Sequence, residues 1–161
     1  MEQEFSAPAR VQAALTAAGV VARIEEFPSS TRTAQEAAAT VGTTVGQIVK
    51  SLVFLAGDAP VMALVSGVNR LDTQRLAALT GAPIGKADAD AVRQATGYAI
   101  GGVPPFGFPV PIPTYIDRDL LQYDVVWAAA GTPRHVFPIA PHDLVRITGG
   151  RVADLRLAPS G

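Results

Sequence analysis

The sequence predicts an α+β fold with a mixed or barrel-like β-sheet and helices packed around it. Three observations carry this. Helical repeats opened by a capping residue and closed by glycine recur along the chain. Runs rich in β-branched residues lie between them, in the order α, β, α, ββ, α, α and then mostly β. That order lacks strict βαβ alternation, which argues against a doubly wound parallel sheet. Finally, 161 residues with 48% hydrophobic side chains suffice to bury a core.

Ser6 and Pro8 open the first helix, since proline is tolerated in a first turn. Val11, Ala14, Leu15 and Ala18 repeat at helical spacing, and Gly19 ends the pattern. Residues 20–27 read as a strand that Pro28 stops. Thr33-Ala34-Gln35-Glu36 matches a capping box, so a short alanine-rich helix follows and stops at Gly42. Residues 47–55 form an apolar strand with one lysine inside it. A turn over 56–60 leads to a return strand over 61–65, making a hairpin.

Asp72 caps a helix through Leu79, closed by Gly81, and Asp88 caps another through Ala95, closed by Gly97. Tyr98-Ala99-Ile100 reads as a short strand running into the loop Gly101-Gly102-Val103-Pro104-Pro105-Phe106-Gly107. Residues 110–116 suit an edge strand, because prolines cannot donate to a ladder. Residues 125–130 form a buried strand, Gly131-Thr132-Pro133 turns it, and 135–139 return. Pro141-His142-Asp143-Leu144 suits a single helical turn, and 151–157 a weak final element. No repeat or linker divides the chain, so residues 1–161 are expected to form a single domain.

The composition narrows the function. Thirteen basic and fourteen acidic side chains give a net charge of −1, and charged residues are 17%, below the usual ~25%. A mean hydropathy of +0.27 excludes a disordered tail. The absence of a basic excess argues against a broad phosphate-tracking surface. With no cysteine, disulfides, thiolate catalysis and cysteine–zinc sites are excluded. The acidic start Met1-Glu2-Gln3-Glu4 lacks an apolar segment behind it, against a secretory signal. No apolar run approaches the ~18 residues of a membrane helix. The expected compartment is the cytosol, with no membrane partner.

Lys50 is the first chemical oddity. It shares a strand face with Ile48 and Leu52, and an unpaired buried ammonium must find an anion, a cavity or a route to water. It either snorkels at a sheet edge or binds an anion or carbonyl. The 101–107 loop is the second: glycines allow close backbone approach while prolines stiffen it, so it is either a tight connection or a ligand-presenting loop. It lacks the Gly-Lys-Ser/Thr of a phosphate-cradling loop. His135, after Gly131-Thr132-Pro133-Arg134, is either a surface side chain beside a turn or a general base or donor. His135 and His142 have no metal-ligand spacing. A Ser51, His135, Asp143 triad lacks a nucleophile elbow. Asn69-Arg70 is either a polar clamp or a solvated loop before the Asp72 helix.

Several stretches carry a resemblance. They are Thr33-Ala34-Gln35-Glu36-Ala37-Ala38, Gln47-Ile48-Val49-Lys50-Ser51-Leu52-Val53, Asp72-Thr73-Gln74-Arg75-Leu76-Ala77, the segment from Thr96 through Gly107, and the Gly131 region. In order and spacing, from about Val11 to Thr148, the chain resembles the YbaK and prolyl-tRNA-synthetase-associated domain family. The pairing of the Lys50 strand with the Gly-x-x-x-Pro motif, Gly101 to Pro105, is its most specific part.

The resemblance implies a mixed, barrel-like sheet flanked by helices. It implies hydrolysis of the ester between an incorrect small amino acid and the 3′-terminal adenosine of a tRNA, Ala- or Cys-tRNA(Pro) among the candidates. Lys50 inherits the key active-site position, and Gly101 through Pro105 the pocket-shaping loop. Phe27, Thr33, Gly101, Gly102, Pro105, Gly131, Thr132 and His135 become pocket candidates, with Phe27 at the rim. No metal or cofactor is implied. The partners implied are the aminoacyl-tRNA 3′ end and an aminoacyl-tRNA synthetase. One departure is Ala128-Ala129-Ala130 before Gly131, where the cysteinyl-tRNA(Pro) deacylase branch carries a small polar residue. A non-catalytic binding module is the competing expectation, and a small-ester hydrolase a third.

Overall fold

Ser6 opens the structure as expected: its Oγ accepts from the Ala9 N–H at 3.3 Å, and helix α1 (Ala7–Ala17) buries Val11 and Leu15. The computed structural model describes residues 6–29 and 33–158, so the acidic start at Met1 to Glu4 lies outside the described residues. The strand expected over 20–27 contracts to β1 (Glu25–Glu26). Val20, Ala22 and Ile24 still pack on the core while Val21 is exposed, so the alternation is real. Glu25 and Glu26 find ladder partners in Val136 and His135, and the Phe27 N–H donates to the Arg134 carbonyl at 2.6 Å just beyond them.

Thr33 Oγ1 accepts from the Glu36 N–H at 3.1 Å, starting α2 (Ala34–Val41), and Gly42 ends it at φ +75. A 3₁₀ turn, Val45–Gln47, takes the place of the expected strand start. The Thr43 and Thr44 hydroxyls both donate to Gln47 Oε1, at 2.5 and 2.8 Å, and draw that side chain into the turn. The hairpin then forms from β2 (Val49–Ala56) and β3 (Ala59–Ser66), with Lys50 opposite Val65.

Asp72 and Asp88 cap α3 (Thr73–Thr80) and α4 (Ala89–Thr96) through their carboxylates. Between them β4 (Ile84–Lys86) adds to the free edge of β2. The strand expected at Tyr98 is a turn. Its N–H goes to Thr96 Oγ1 at 3.0 Å, and the Gly102 N–H to the Ala99 carbonyl at 3.1 Å, leaving no ladder. The expected edge strand over 110–116 is also corrected. Strand β5 (Thr114–Asp117) lies inside the sheet, parallel to β3 and to β8 (Arg151–Ala153). Pro109, Pro111 and Pro113 all precede it, so no missing donor falls in the ladder.

A 3₁₀ turn (Arg118–Gln122) leads to β6 (Val126–Ala129) and β7 (His135–Ile139), an antiparallel pair. Helix α5 (Pro141–Thr148) runs eight residues rather than one turn, closed by Gly149. Strand order is β4-β2-β3-β5-β8 in one sheet and β1-β7-β6 in the other. A parallel bridge from Ile48 to Trp127 joins them, so the sheet is mixed but not a closed barrel. Alternation on β3 sends Met62 and Leu64 into the main core with Phe137 and Ile116. It sends Val61, Ala63 and Val65 into a second core with Leu76 and Leu155. A third cluster of Phe27, Ala37, Ala38, Ile48 and Val136 sits under α2.

Candidate functional site

Where the two sheets meet at Ile48 and Trp127, they leave a cavity of about 310 Å³. Ile48, at the bridge, and Val49 to Leu52, the first half of β2, form one wall. Trp127 and Ala129 of β6 and Val136 of β7 form the next. Thr33, Ala34 and Ala37 of α2 close one side, and Ile100, Gly101 and Val103 with Thr132, Pro133 and His135 close the other. The lining is mostly apolar with a few converging polar groups, the usual character of a small-molecule site.

Lys50 neither snorkels freely nor sits unpaired. Its ammonium donates to the backbone carbonyl of Asn69. Burial pulls the Lys50 pKa below the ordinary lysine range; the Asp117 carboxylate opposes this and Arg70 adds to it. Asn69 is itself held firmly. Its side-chain amide donates to Asp117 Oδ2 at 2.8 Å and Asp119 Oδ2 at 2.7 Å. Asp117 is buried, and it also accepts from the backbone N–H groups of Ser66 and Asp119, both at 3.0 Å. The clamp expected at Asn69-Arg70 is therefore a support for Lys50, reached from β5. Beside Lys50, Ser51 lines the cavity, and its Oγ is buried without a hydrogen-bond partner among the described residues.

His135 meets the cavity from β7. Its Nδ1 lies 2.5 Å from Thr132 Oγ1, and its Nε2 lies 3.1 Å from Glu26 Oε2. Thr132 Oγ1 also accepts from the Arg134 N–H at 3.1 Å. These bonds leave no place for the Ser51, His135, Asp143 triad, since Asp143 pairs instead with Arg146 at 3.2 Å. His142 is exposed, 3.8 Å from Asp143.

Five of the nine site residues expected from the sequence line the cavity: Lys50, Thr33, Gly101, Thr132 and His135. The other four do not. Phe27 is buried under α2, and its backbone carbonyl accepts from the Arg134 guanidinium at 3.2 Å. Gly102 and Gly131 hold the walls together: the Gly131 N–H donates to the Gly102 carbonyl at 2.9 Å. A Cβ on Gly102 would meet Thr132 Cα at 2.5 Å, so only glycine allows this approach. Pro105 is buried within the loop. Trp127 and Glu26 were not foreseen. The single tryptophan of the chain was an available signal, whereas Glu26 reaches His135 only through the β1–β7 register.

The sequence profile of the aminoacyl-tRNA editing domain matches residues 28–147. EbsC of Enterococcus faecalis, named as a candidate Cys-tRNA(Pro)/Cys-tRNA(Cys) deacylase, is 29% identical over 124 residues, 76% of this chain and 76% of its own. YwhH of Bacillus subtilis, which has no assigned function, is 28% identical over 130 residues, 80% of this chain and 83% of its own. The crystal structure of a candidate trans-editing enzyme for prolyl-tRNA synthetase has a TM-score of 0.91 at 49% identity, covering 97% of this chain and 100% of that one.

Proposed function

The chain belongs to the aminoacyl-tRNA editing domain family, and from that premise we propose that it is a free-standing deacylase. It hydrolyses the ester joining a mischarged small amino acid to the 3′-terminal adenosine of a tRNA, in the cytosol. Ala- and Cys-tRNA(Pro) are the first substrates to test: the names of its relatives point to Cys-tRNA(Pro) and to prolyl-tRNA synthetase, and alanine follows from the resemblance stated above. The observation that carries the reading is Lys50: a partly desolvated cation held by the Asn69 carbonyl at the wall of a mostly apolar cavity.

An aminoacyl ester is already activated, so catalysis needs little beyond a placed nucleophile and a stabilised oxyanion. The Lys50 ammonium supplies positive charge either to the carbonyl oxygen as it becomes an oxyanion or to the terminal phosphate. Water is the nucleophile: its oxygen adds to the ester carbonyl while a ribose hydroxyl of the 3′ end assists, as in the family this chain resembles, and the bond to the adenosine oxygen breaks to give the free amino acid and the tRNA hydroxyl. Ala34, Ala37 and Ala129 keep the cavity small while Ile48, Leu52 and Trp127 make much of its wall apolar. An apolar pocket discriminates one methylene by about 10–200-fold, which suits selection of a small side chain. With alanines at 128–130, the polar groups on this side come from Thr132 and His135. No helix among the described residues is long and apolar enough to cross a membrane.

The test is a panel of mischarged tRNAs with tRNA(Pro) carrying Ala or Cys included. Hydrolysis of at least one above the spontaneous rate, abolished by Lys50→Ala in a folded protein, is expected. A panel untouched by the wild type overturns the proposal. Saturable tRNA or synthetase binding with unchanged ester half-life would instead make the chain a binding module.

A further inference from the structure

Glu26 and His135 face each other as a cross-strand pair on β1 and β7. The ring reaches the Glu26 carboxylate through Nε2 at 3.1 Å and the Thr132 hydroxyl through Nδ1 at 2.5 Å. A carboxylate only accepts, so in the neutral ring the proton belongs on Nε2 and Nδ1 is left as an acceptor. The Thr132 hydroxyl then gives its one proton to Nδ1. A hydroxyl oxygen has two lone pairs. The Arg134 N–H occupies one, and the other has no partner among the described residues. Thr132 lines the cavity.

We propose that Glu26 is a positioning residue that fixes His135 as the Nε2–H tautomer and thereby makes Thr132 an obligate hydrogen-bond acceptor for the α-ammonium of the substrate. The ligand class rests on the deacylase reading above; the tautomer does not. Without Glu26 the ring is free to carry its proton on Nδ1. Nδ1–H then donates to Thr132, whose hydroxyl turns its proton elsewhere and becomes a donor, repelling an ammonium. Glu26 is 59% exposed on its side chain, so its replacement leaves no buried void.

Two measurements on the full chain test this. Long-range ¹H–¹⁵N spectra of histidine-labelled protein, in a His142→Gln background and raised in pH until the ring nitrogens no longer show the imidazolium pattern, read the tautomer directly. The wild type is expected as Nε2–H. Glu26→Ala admits the Nδ1–H form, and Glu26→Gln, whose amide oxygen accepts the same bond, restores the first. An Nδ1–H wild type, or a spectrum unmoved by Glu26→Ala, overturns the positioning role. The second measurement compares binding of 3′-alanylamido-3′-deoxyadenosine with its N-acetyl derivative at about pH 7, where an α-amino group remains largely protonated. The free amine is expected to bind about tenfold tighter, with the preference lost in Glu26→Ala and kept in Glu26→Gln. Equal binding of the two by the wild type, or a preference indifferent to Glu26→Ala, overturns the acceptor role. Should neither analogue bind, the ammonium site falls with the deacylase reading, while the spectra still decide the role of Glu26.

Discussion

Burial makes the charge on Lys50 unfavourable to the fold relative to the neutral amine. Burial holds its pKa below the ordinary lysine range, against the pull of Asp117 and with the help of Arg70. A lysine pKa lower in the folded than in the unfolded chain means the folded state binds this proton less tightly. The ammonium therefore opposes folding at neutral pH, and the penalty fades as pH rises through the folded pKa. Lys50→Met, similar in volume and uncharged, is expected to melt no lower than wild type at pH 7 while deacylation falls to the spontaneous rate. A clear drop in Tm would mean that the bond to the Asn69 carbonyl outweighs desolvation. The same balance sets the pH profile. If the charged form acts, kcat falls on an alkaline limb at a lower pH than a free lysine would give. Arg70 is exposed and depresses the Lys50 pKa, so Arg70→Ala should move that limb to higher pH. A limb that stays put would assign it to another group.

The cavity depends on two connections meeting backbone to backbone, the 101–107 loop and the β6–β7 turn. Gly131 sits at φ +101 with the space for a Cβ filled by Ala7 at 2.7–2.9 Å, and Gly102 is pressed on Thr132. Gly102→Ala must push the loop off the turn and spread Gly101 from Thr132. It should cost about 1–3 kcal/mol, the usual penalty of overpacking, and raise KM for the substrate. Gly85→Ala is the control: its added Cβ meets nothing within 4 Å and its φ is not positive. Its effect should stay within about 0.5 kcal/mol. Equal effects of the two on melting and on KM would remove the loop–turn contact from the account of the site. Local signals of this kind explain what the sequence revealed. Thr33, Asp72 and Asp88 each carry their cap within three residues, so those helices were legible. The place of β5 between β3 and β8 depends on a parallel pairing between residues 52 apart, such as Met62 and Thr114, which no local pattern encodes. The site divides the same way. Lys50 stands out as a cation in an apolar strand, whereas Asn69, Asp117 and Glu26 become relevant only through contacts the fold brings about.

Charge governs how the whole molecule meets a nucleic acid. A net charge of −1 offers no long-range attraction to a polyanion. Around the cavity, the cations among the described residues are few: Lys50 in its wall, Arg70 close enough to depress its pKa, and Arg134 beside Thr132. Arg134 already donates to the backbone carbonyls of Phe27 and Pro28, which fixes where its charge sits. Each phosphate neutralised in a single-stranded 3′ end adds about −0.7 to the slope of log K against log salt. Three contacts give a slope of about −2, far shallower than that of proteins that track six to ten phosphates. Affinity should therefore come from the aminoacyl group and terminal adenosine, and uncharged tRNA should bind weakly. Titrating a non-hydrolysable aminoacyl-tRNA and its uncharged counterpart across a salt series checks both points. A slope steeper than about −6 would mean that a basic surface outside the cavity engages the acceptor stem. A large loss of affinity on removing the amino acid, at unchanged slope, is the result expected of a site that reads the aminoacylated end.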